Sequence, residues 1–420
     1  MTSDDEARRG ALSGVRVADF SRVLAGPYAT MMLSDFGADV VKIESPTGDD
    51  TRSWAPPVDA SGASTYFAGV NRNKRSVVLD LSTDAGLAEA RRLAFSADVV
   101  VENFRPGVME RFGLDFTAVS AANPGVVYCS ITGFGAGEGA GLPGYDLLVQ
   151  AVGGLMSVTG APDGDPTKAG VALVDVLTGL NALSGILLAL RARDAAAGST
   201  GPGTAAPGSL VQVDLLSSLL SGLVNQASST LATGVAPRRM GNAHPSIAPY
   251  ESFRAADRDL VIAVGNDRQF LSLVGVLDDP ALGDPRFATN PLRVAHRAEL
   301  RALIEERLAS APASGWVSRL NGVGVPAGLV NDVGEAIAFA ESLGLEPVVD
   351  VDDSRSIANP IRLASGPAAY SSRAPRLGEH AGADWLDASA GPAPTTASGS
   401  PVAPASVSDR LLDPSTEGTA

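Results

Sequence analysis

The sequence predicts an α/β fold, with an open, mostly parallel sheet in a large domain and a smaller α+β domain after it. Three observations carry this. Apolar strand-like runs alternate with helix-length segments along the N-terminal part of the chain. The chain has 420 residues, 45% of them hydrophobic, more than one small core needs. A stretch rich in Gly, Pro, Ala, Ser and Thr, AAAGSTGPGTAAPGS at 195–209, then breaks the chain near its middle.

The elements follow in order. VRVADF at 15–20 reads as a strand, Gly26-Pro27 as a turn, YATMMLSDFG as a helix and ADVVKIE as the next strand. SVVLDL, a helix over 83–95 and ADVVVENF make a second round, and VVYCSITGF supplies a further strand. Alternation on this scale predicts a Rossmann-like sheet with helices on both faces. Beyond the linker, LVQVDLL reads as a strand followed by a helix to about residue 230. The smaller domain opens near residue 236, where APYESFRAADRDLVIAVG reads as a hairpin, with amphipathic helices around Gln269 and Arg297. VVDVDD and NPIRLAS are strand-like. Residues 1–11 and the Pro/Ala/Ser/Thr-rich tail at 389–420 read as disordered.

Composition narrows the function. The formal net charge is −15, which argues against a nucleic-acid partner. An anionic ligand must be met by a local basic patch. Cys129 is the only cysteine, so no disulfide forms within the chain, in keeping with the cytoplasm. MTSDDEARRG lacks the apolar core of a signal peptide. The apolar run AGVALVDVLTGLNALSGILLAL at 169–190 nearly reaches bilayer length. Asp175, Thr178, Asn181, Ser184 and three glycines oppose insertion, and no membrane partner is expected.

Several segments could carry chemistry. GAGLPG at 139–144 fits G-x-G-x-x-G, but on a late strand and in a glycine-rich run. It reads as an active-site loop rather than a dinucleotide fingerprint. His244, His296 and His380 lie far apart in sequence with no ligand-spaced partner, so no metal is expected. Cys129 sits in an apolar strand and reads as an inert buried thiol. NRNKRS at 71–76 gathers Arg72, Lys74 and Arg75, which suit a phosphate or form a solvated turn. ENFRPGVMERFG adds Arg105 and Arg111 just past a strand's C-terminal end, where open α/β sheets bind ligands. Asp175 reads as a helix N-cap, held as the anion by the backbone N–H groups of the first turn. It also reads as a shielded nucleophile for a thioester, and the two are compatible.

Taken together, VRVADFSRVLAGPYATMMLSDFGADVVKIESPTGDDTR, NRNKRSVVLDL, VVVENFRPGVMERFGL, GYDLLVQAVGGLMSVTG, VDVLTGLNALSGILLAL, GNAHPSIAPYESF and LGEH resemble the class III CoA-transferase family. That superfamily also holds formyl-CoA transferase, carnitine CoA-transferase and the α-methylacyl-CoA racemases. The motifs run in family order over 12–380. The resemblance implies that Asp175 is the catalytic aspartate and that Tyr145 lies at the thioester end of CoA. It implies CoA contacts at Leu24, Ala25, Leu79, Asn103, Phe104 and Arg111, with the cationic Arg105 beside them.

It also implies an interlocked homodimer, with a large CoA-binding domain over 12–198, a connecting segment over 199–231, a small domain over 232–330 and a return to the large domain over 331–388. Racemases carry histidine where this chain has Tyr145, and a phenol is a poor base at neutral pH, so transfer is favoured over racemase or lyase chemistry. A non-catalytic CoA-binding protein is the remaining alternative. Leu24 and Ser45 depart from formyl-CoA transferase, and its tetraglycine loop has no counterpart.

The reaction implied is CoA exchange between an acyl-CoA and an acceptor acid through aspartyl anhydride and aspartyl-CoA. CoA is substrate, product and covalent intermediate, and no permanently bound cofactor is needed. A dicarboxylyl-CoA such as succinyl-CoA is a candidate donor, with Arg52, Arg238 or Arg239 as candidates to hold the second carboxylate. Backbone N–H groups of the glycine-rich segment 133–144 are candidates for stabilising the oxyanions.

Overall fold

A computed structural model describes residues 10–199 and 207–386. Of the segments expected to be disordered, residues 1–9 of 1–11 and all of 389–420 lie outside the described residues, as does the middle of the linker. Six parallel strands form the main sheet: β1 (Arg16–Asp19), β2 (Asp39–Glu44), β3 (Arg75–Val78), β4 (Val99–Glu102), β5 (Val127–Thr132) and β6 (Ser209–Asp214). Their order is β3-β2-β1-β4-β5-β6, and Val17 of β1 pairs with Val40 on one side and Val99 on the other. The order reverses between β1 and β4, and the C-terminal ends of these two strands mark the crevice where such sheets take ligands.

Helix α1 (Ala25–Asp35) follows β1 and is buried along almost its whole length. Helix α2 (Asp84–Ser96) starts at Thr83, whose side chain accepts from the Gly86 N–H at 3.1 Å. Helix α3 (Asp146–Val152) comes after the glycine-rich loop, and α4 (Leu173–Ser199) is the longest helix among the described residues. Its length and apolarity suffice to cross a membrane. Part of its surface instead enters the core around Val17, Val101, Cys129 and Ile131, through Val174, Ala182, Leu183 and Ile186. Gly179 permits the close approach to α1: a Cβ there would lie 2.7 Å from the Ala25 carbonyl oxygen.

The single helix expected after β6 is two, α5 (Leu215–Gly222) and α6 (Val224–Thr233). The chain breaks at Val224, which has φ of +38°. The expected hairpin forms from β7 (Tyr250–Arg254) and β8 (Asp259–Ala263), and β9 (Ala327–Leu329) completes a three-stranded antiparallel sheet. Helices α7 (Asp267–Leu277), α8 (Arg297–Leu308) and α9 (Ala313–Gly322) cover it, with a separate apolar core around Phe253, Phe270, Phe287 and Trp316.

VVDVDD supplies β10 (Val348–Val351), but its partner is β11 (Ser354–Ile357), not NPIRLAS. In that run Asn359 is buried; it donates to Asp35 at 3.0 Å and accepts from the Ile361 N–H. Side-chain bonding and Pro360 take the place of a ladder there. The C-terminal return lies along the β3 edge, where the His380 N–H meets the Ser76 carbonyl at 2.9 Å and Nδ1 accepts from the Ser76 N–H at 3.2 Å.

Candidate active site

At the switch point a cleft of about 500 Å³ opens. It is lined by Leu24 and Ala25 at the start of α1, by Asn103, Phe104 and Arg105 after β4, by the glycine-rich loop, and by Tyr145, Asp146 and Asp175. Seven of the nine residues expected at the site are thus brought together; Leu79 and Arg111 are not among the lining residues. Leu79 is half-buried against the core on the β3 side of the sheet. Arg111 is exposed on the short helix Val108–Phe112.

The rim of the cleft is tied together by side chains whose roles no single motif displays. Asn103 donates to the Arg22 carbonyl at 2.7 Å and accepts from the Arg22 N–H at 2.8 Å, joining the loops after β1 and β4. The Arg22 guanidinium lies 5.0 Å from the Phe104 ring centre. Val23 has φ of +69°, a strained conformation for a β-branched residue. Its N–H is held by the Asp49 carboxylate at 3.2 Å, and Asp49 is itself paired with the buried Lys42 at 2.9 Å. Glu102, almost fully buried, accepts from the Phe104 N–H at 2.9 Å. Burial pushes its carboxyl up to about 7, against the opposing bonds from Ser130 and Phe104.

The glycine loop has a narrow neck. A Cβ on Gly133 would lie 2.4 Å from the Gly144 Cα, so both positions need glycine for the two backbones to pass. The loop therefore stands over the cleft on two closely spaced strands of chain.

Asp175 lies in the first turn of α4, but it is not the cap. The cap is supplied from α3: Asp146 Oδ2 accepts the Val174 N–H at 2.8 Å and the Asp175 N–H at 3.2 Å. Its other oxygen accepts from Gln150 at 2.5 Å, and Gln150 in turn accepts from the Ala169 N–H at 2.8 Å. The expectation that cap geometry keeps Asp175 anionic is therefore reversed. Burial, and then the neighbouring Asp146 charge, push its carboxyl up to about 7. The phenol of Tyr66 feels Asp175, Asp146 and Asp49; burial first and these charges next raise it to about 12. Tyr66 packs edge-on against Trp54 at the cleft wall, ring centres 5.0 Å apart.

The cations of NRNKRS do not bind phosphate in this arrangement. Lys74 is buried against Asp19 at 3.1 Å, Arg72 pairs with Asp35 at 2.5 Å, and Arg75 pairs with Asp39 at 2.7 Å. Arg52 is likewise committed: it forks onto Glu44 with two 2.7 Å bonds and stacks on Phe67 at 3.7 Å. Arg239 donates to the carbonyls of Ala161 and Gly164, and Arg238 is exposed. The cations lining the cleft are Arg22 and Arg105. Cys129 is fully buried, and burial raises its thiol well above the ordinary range.

Fold and cleft together describe an α/β enzyme that takes its ligand at the switch point of a doubly wound sheet. The chain belongs to CoA-transferase family III, whose model matches residues 12–381. It is 41% identical over 391 residues to a succinate–glutarate CoA-transferase of Agrobacterium fabrum, covering 90% of this chain and 96% of that protein. It is 38% identical over 385 residues to a succinyl-CoA:mesaconate CoA-transferase of Haloarcula marismortui, covering 88% and 94% of the two chains. The crystal structure of a CAIB/BAIF family protein from Brucella suis superposes with a TM-score of 0.80 at 42% identity, over 89% of this chain and 97% of that one.

Proposed function

We propose that this transferase moves CoA from succinyl-CoA, or a closely related dicarboxylyl-CoA, to a second dicarboxylic acid, with Asp175 as the covalent carrier. The observation that carries the reading is the position of Asp175: a half-buried carboxylate lining the switch-point cleft of a chain whose relatives act on succinyl-CoA, glutarate and mesaconate.

The ionised Asp175 attacks the donor thioester carbonyl; a C–O bond forms, the C–S bond breaks, and CoA leaves as the thiolate. The thiolate then attacks the aspartyl carbonyl of the mixed anhydride, which releases succinate and leaves an aspartyl-CoA thioester. The acceptor carboxylate runs the two steps in reverse, regenerating Asp175. Thioester energy is handed on throughout. Leu24, Ala25, Asn103, Phe104 and Arg105 hold CoA along the rim, with Leu79 and Arg111 further out, and Tyr145 stands at the thioester end. N–H groups of the glycine loop face the oxyanions.

The outward residues of α4 support a homodimer, interlocked as in the family: Leu180, Leu187 and Leu188 are 37%, 40% and 72% exposed. The separate apolar core around β7–β9 supports the small domain over 232–330 with the return to the large one after it. A cytoplasmic location accords with this chemistry, which draws on acyl-CoA pools.

The test is to incubate the protein with succinyl-CoA, quench with hydroxylamine and map the product by mass spectrometry. A hydroxamate at Asp175 is expected, together with loss of CoA transfer to glutarate in Asp175→Asn. Turnover that persists with Asp175 unmodified refutes the reading. Exchange of the α-hydrogen in deuterated water without an acceptor acid would point to racemase or lyase chemistry instead.

A further inference from the structure

Asp146 is the carboxylate that no motif assigned. It holds the first turn of α4 through the Val174 and Asp175 N–H groups and is steadied in turn by Gln150. The same carboxylate lines the cleft beside Asp175. A neutral capping side chain would satisfy those N–H groups, since Ser, Thr and Asn all cap helices well. A charged cap adjacent to another carboxylate brings an extra term, repulsion between two anions in a partly desolvated cleft.

We propose that Asp146 is a positioning residue of the transfer reaction: it sets Asp175 over the cleft by capping α4, and its charge raises the energy of the Asp175 carboxylate relative to the acylated forms. When Asp175 attacks the thioester, its negative charge passes to the departing CoA sulfur and the anhydride left behind is neutral. The repulsion from Asp146 is present before that step and relieved by it, so it lowers the barrier to acylation. In the reverse direction it slows premature return of the free aspartate. Several groups are placed to act on Asp175. Asp146 comes from α3 and the Tyr66 phenol from the short helix Thr65–Ala68, a phenol that also feels the Asp49 charge. Helix α1 brings the Tyr28 ring, packed at Gly179 one turn along α4, and Arg22, Asp50, Arg105 and Tyr145 line the same cleft. The raised Asp175 carboxyl agrees with this arrangement.

The proposal rests on the transferase reading and is tested on the full chain with Asp146→Asn and Asp146→Ser, which keep a capping acceptor and remove the charge. Acylation is followed in single turnovers as the release of CoA thiol from succinyl-CoA across pH. The wild type is expected to lose rate below about pH 7. In both variants that limb moves down by about one unit or more, and the limiting acylation rate at alkaline pH falls at least about tenfold while CoA affinity stays within about twofold. A limb that does not move, or a loss confined to KM, overturns the proposal. If neither variant folds, the carboxyl of Asp175 is titrated directly in the wild type by 13C NMR, assigned by its absence in Asp175→Asn. A midpoint below about 5 overturns the proposal. Failure of hydroxylamine to trap Asp175 in the wild type removes the transferase reading itself, an outcome separate from an unmoved limb.

Discussion

Replacing Lys74 by Met tests whether NRNKRS serves the fold or the ligand. The ammonium is fully buried and donates to Asp19 at 3.1 Å, to the Pro27 carbonyl at 2.8 Å and to Asn71 at 2.9 Å. Methionine fills a similar volume but takes one donor away from each of three acceptors, one of them charged. Breaking one side of a buried pair costs about 3–5 kcal/mol, because the partner charge stays behind. Asp19 keeps the Thr30 hydroxyl at 2.7 Å, the Ser21 donors and the nearby Lys42, which places the loss toward the lower end. A melting temperature lower by roughly 3–5 °C is expected, read by calorimetry alongside urea unfolding.

The pH dependence supplies a second reading. Burial alone would raise the Asp19 carboxyl, but Lys74, Lys42 and the two hydroxyls outweigh it and hold it below the ordinary range. Its contribution is therefore present above about pH 4 and lost as pH falls further. Without Lys74 the balance shifts towards burial, the carboxyl rises, and the variant's deficit should shrink as pH falls from 7 to 5. CoA affinity, measured by calorimetric titration, should stay within about twofold. A stability loss under about 1 kcal/mol, or a tenfold weaker CoA complex of a folded variant, would refute the structural assignment and restore the phosphate-binding one.

Two further outcomes follow from the cleft. Asp175→Asn should stabilise the fold at pH 8: the folded carboxyl sits near 7 against an ordinary 3.8, so the anion is disfavoured in the native state and the cost grows between those values. Three units set a ceiling of about 4 kcal/mol, and partial exposure reduces the expected gain to about 2 kcal/mol, vanishing by about pH 4 in thermal melts. Arg105→Ala should weaken CoA about tenfold, with a smaller effect for Arg111→Ala outside the lining, as read by titration with CoA at two salt concentrations.

The sheet was legible because its strands are buried on both faces and read as unbroken apolar runs, VVV at 99–101 being the clearest. The hairpin at β7–β8 was legible in the run APYESFRAADRDLVIAVG. What the sequence concealed were partnerships between distant segments. Asp175 looks like a cap because it precedes a helical pattern, whereas the capping carboxylate arrives from α3 through space. Lys74 and Arg72 look like a surface patch because their counter-ions, Asp19 and Asp35, belong to other elements. Tyr66 reaches Trp54 at the cleft wall from a helix of four residues, too short to show a period. Asn359 converts an apolar run into irregular chain by bonding inward to Asp35.

The contact between His380 and Ser76 gives LGEH a purpose unrelated to catalysis. Strand β3 ends the sheet, and an end strand with bare N–H and C=O groups invites pairing with another molecule. His380 closes off both groups of Ser76, one through its backbone and one through Nδ1, which must be unprotonated to accept. Burial lowers its pKa, with Arg75 and Arg373 acting against Glu379, so the neutral ring is favoured in the fold. As pH falls below 6.5 the unfolded chain gains a proton first and the latch loses its advantage. Once the ring is charged, its acceptor becomes a donor facing another donor. Acid would then open the sheet at its margin before its centre, and the first sign would be molecules sticking together rather than unfolding.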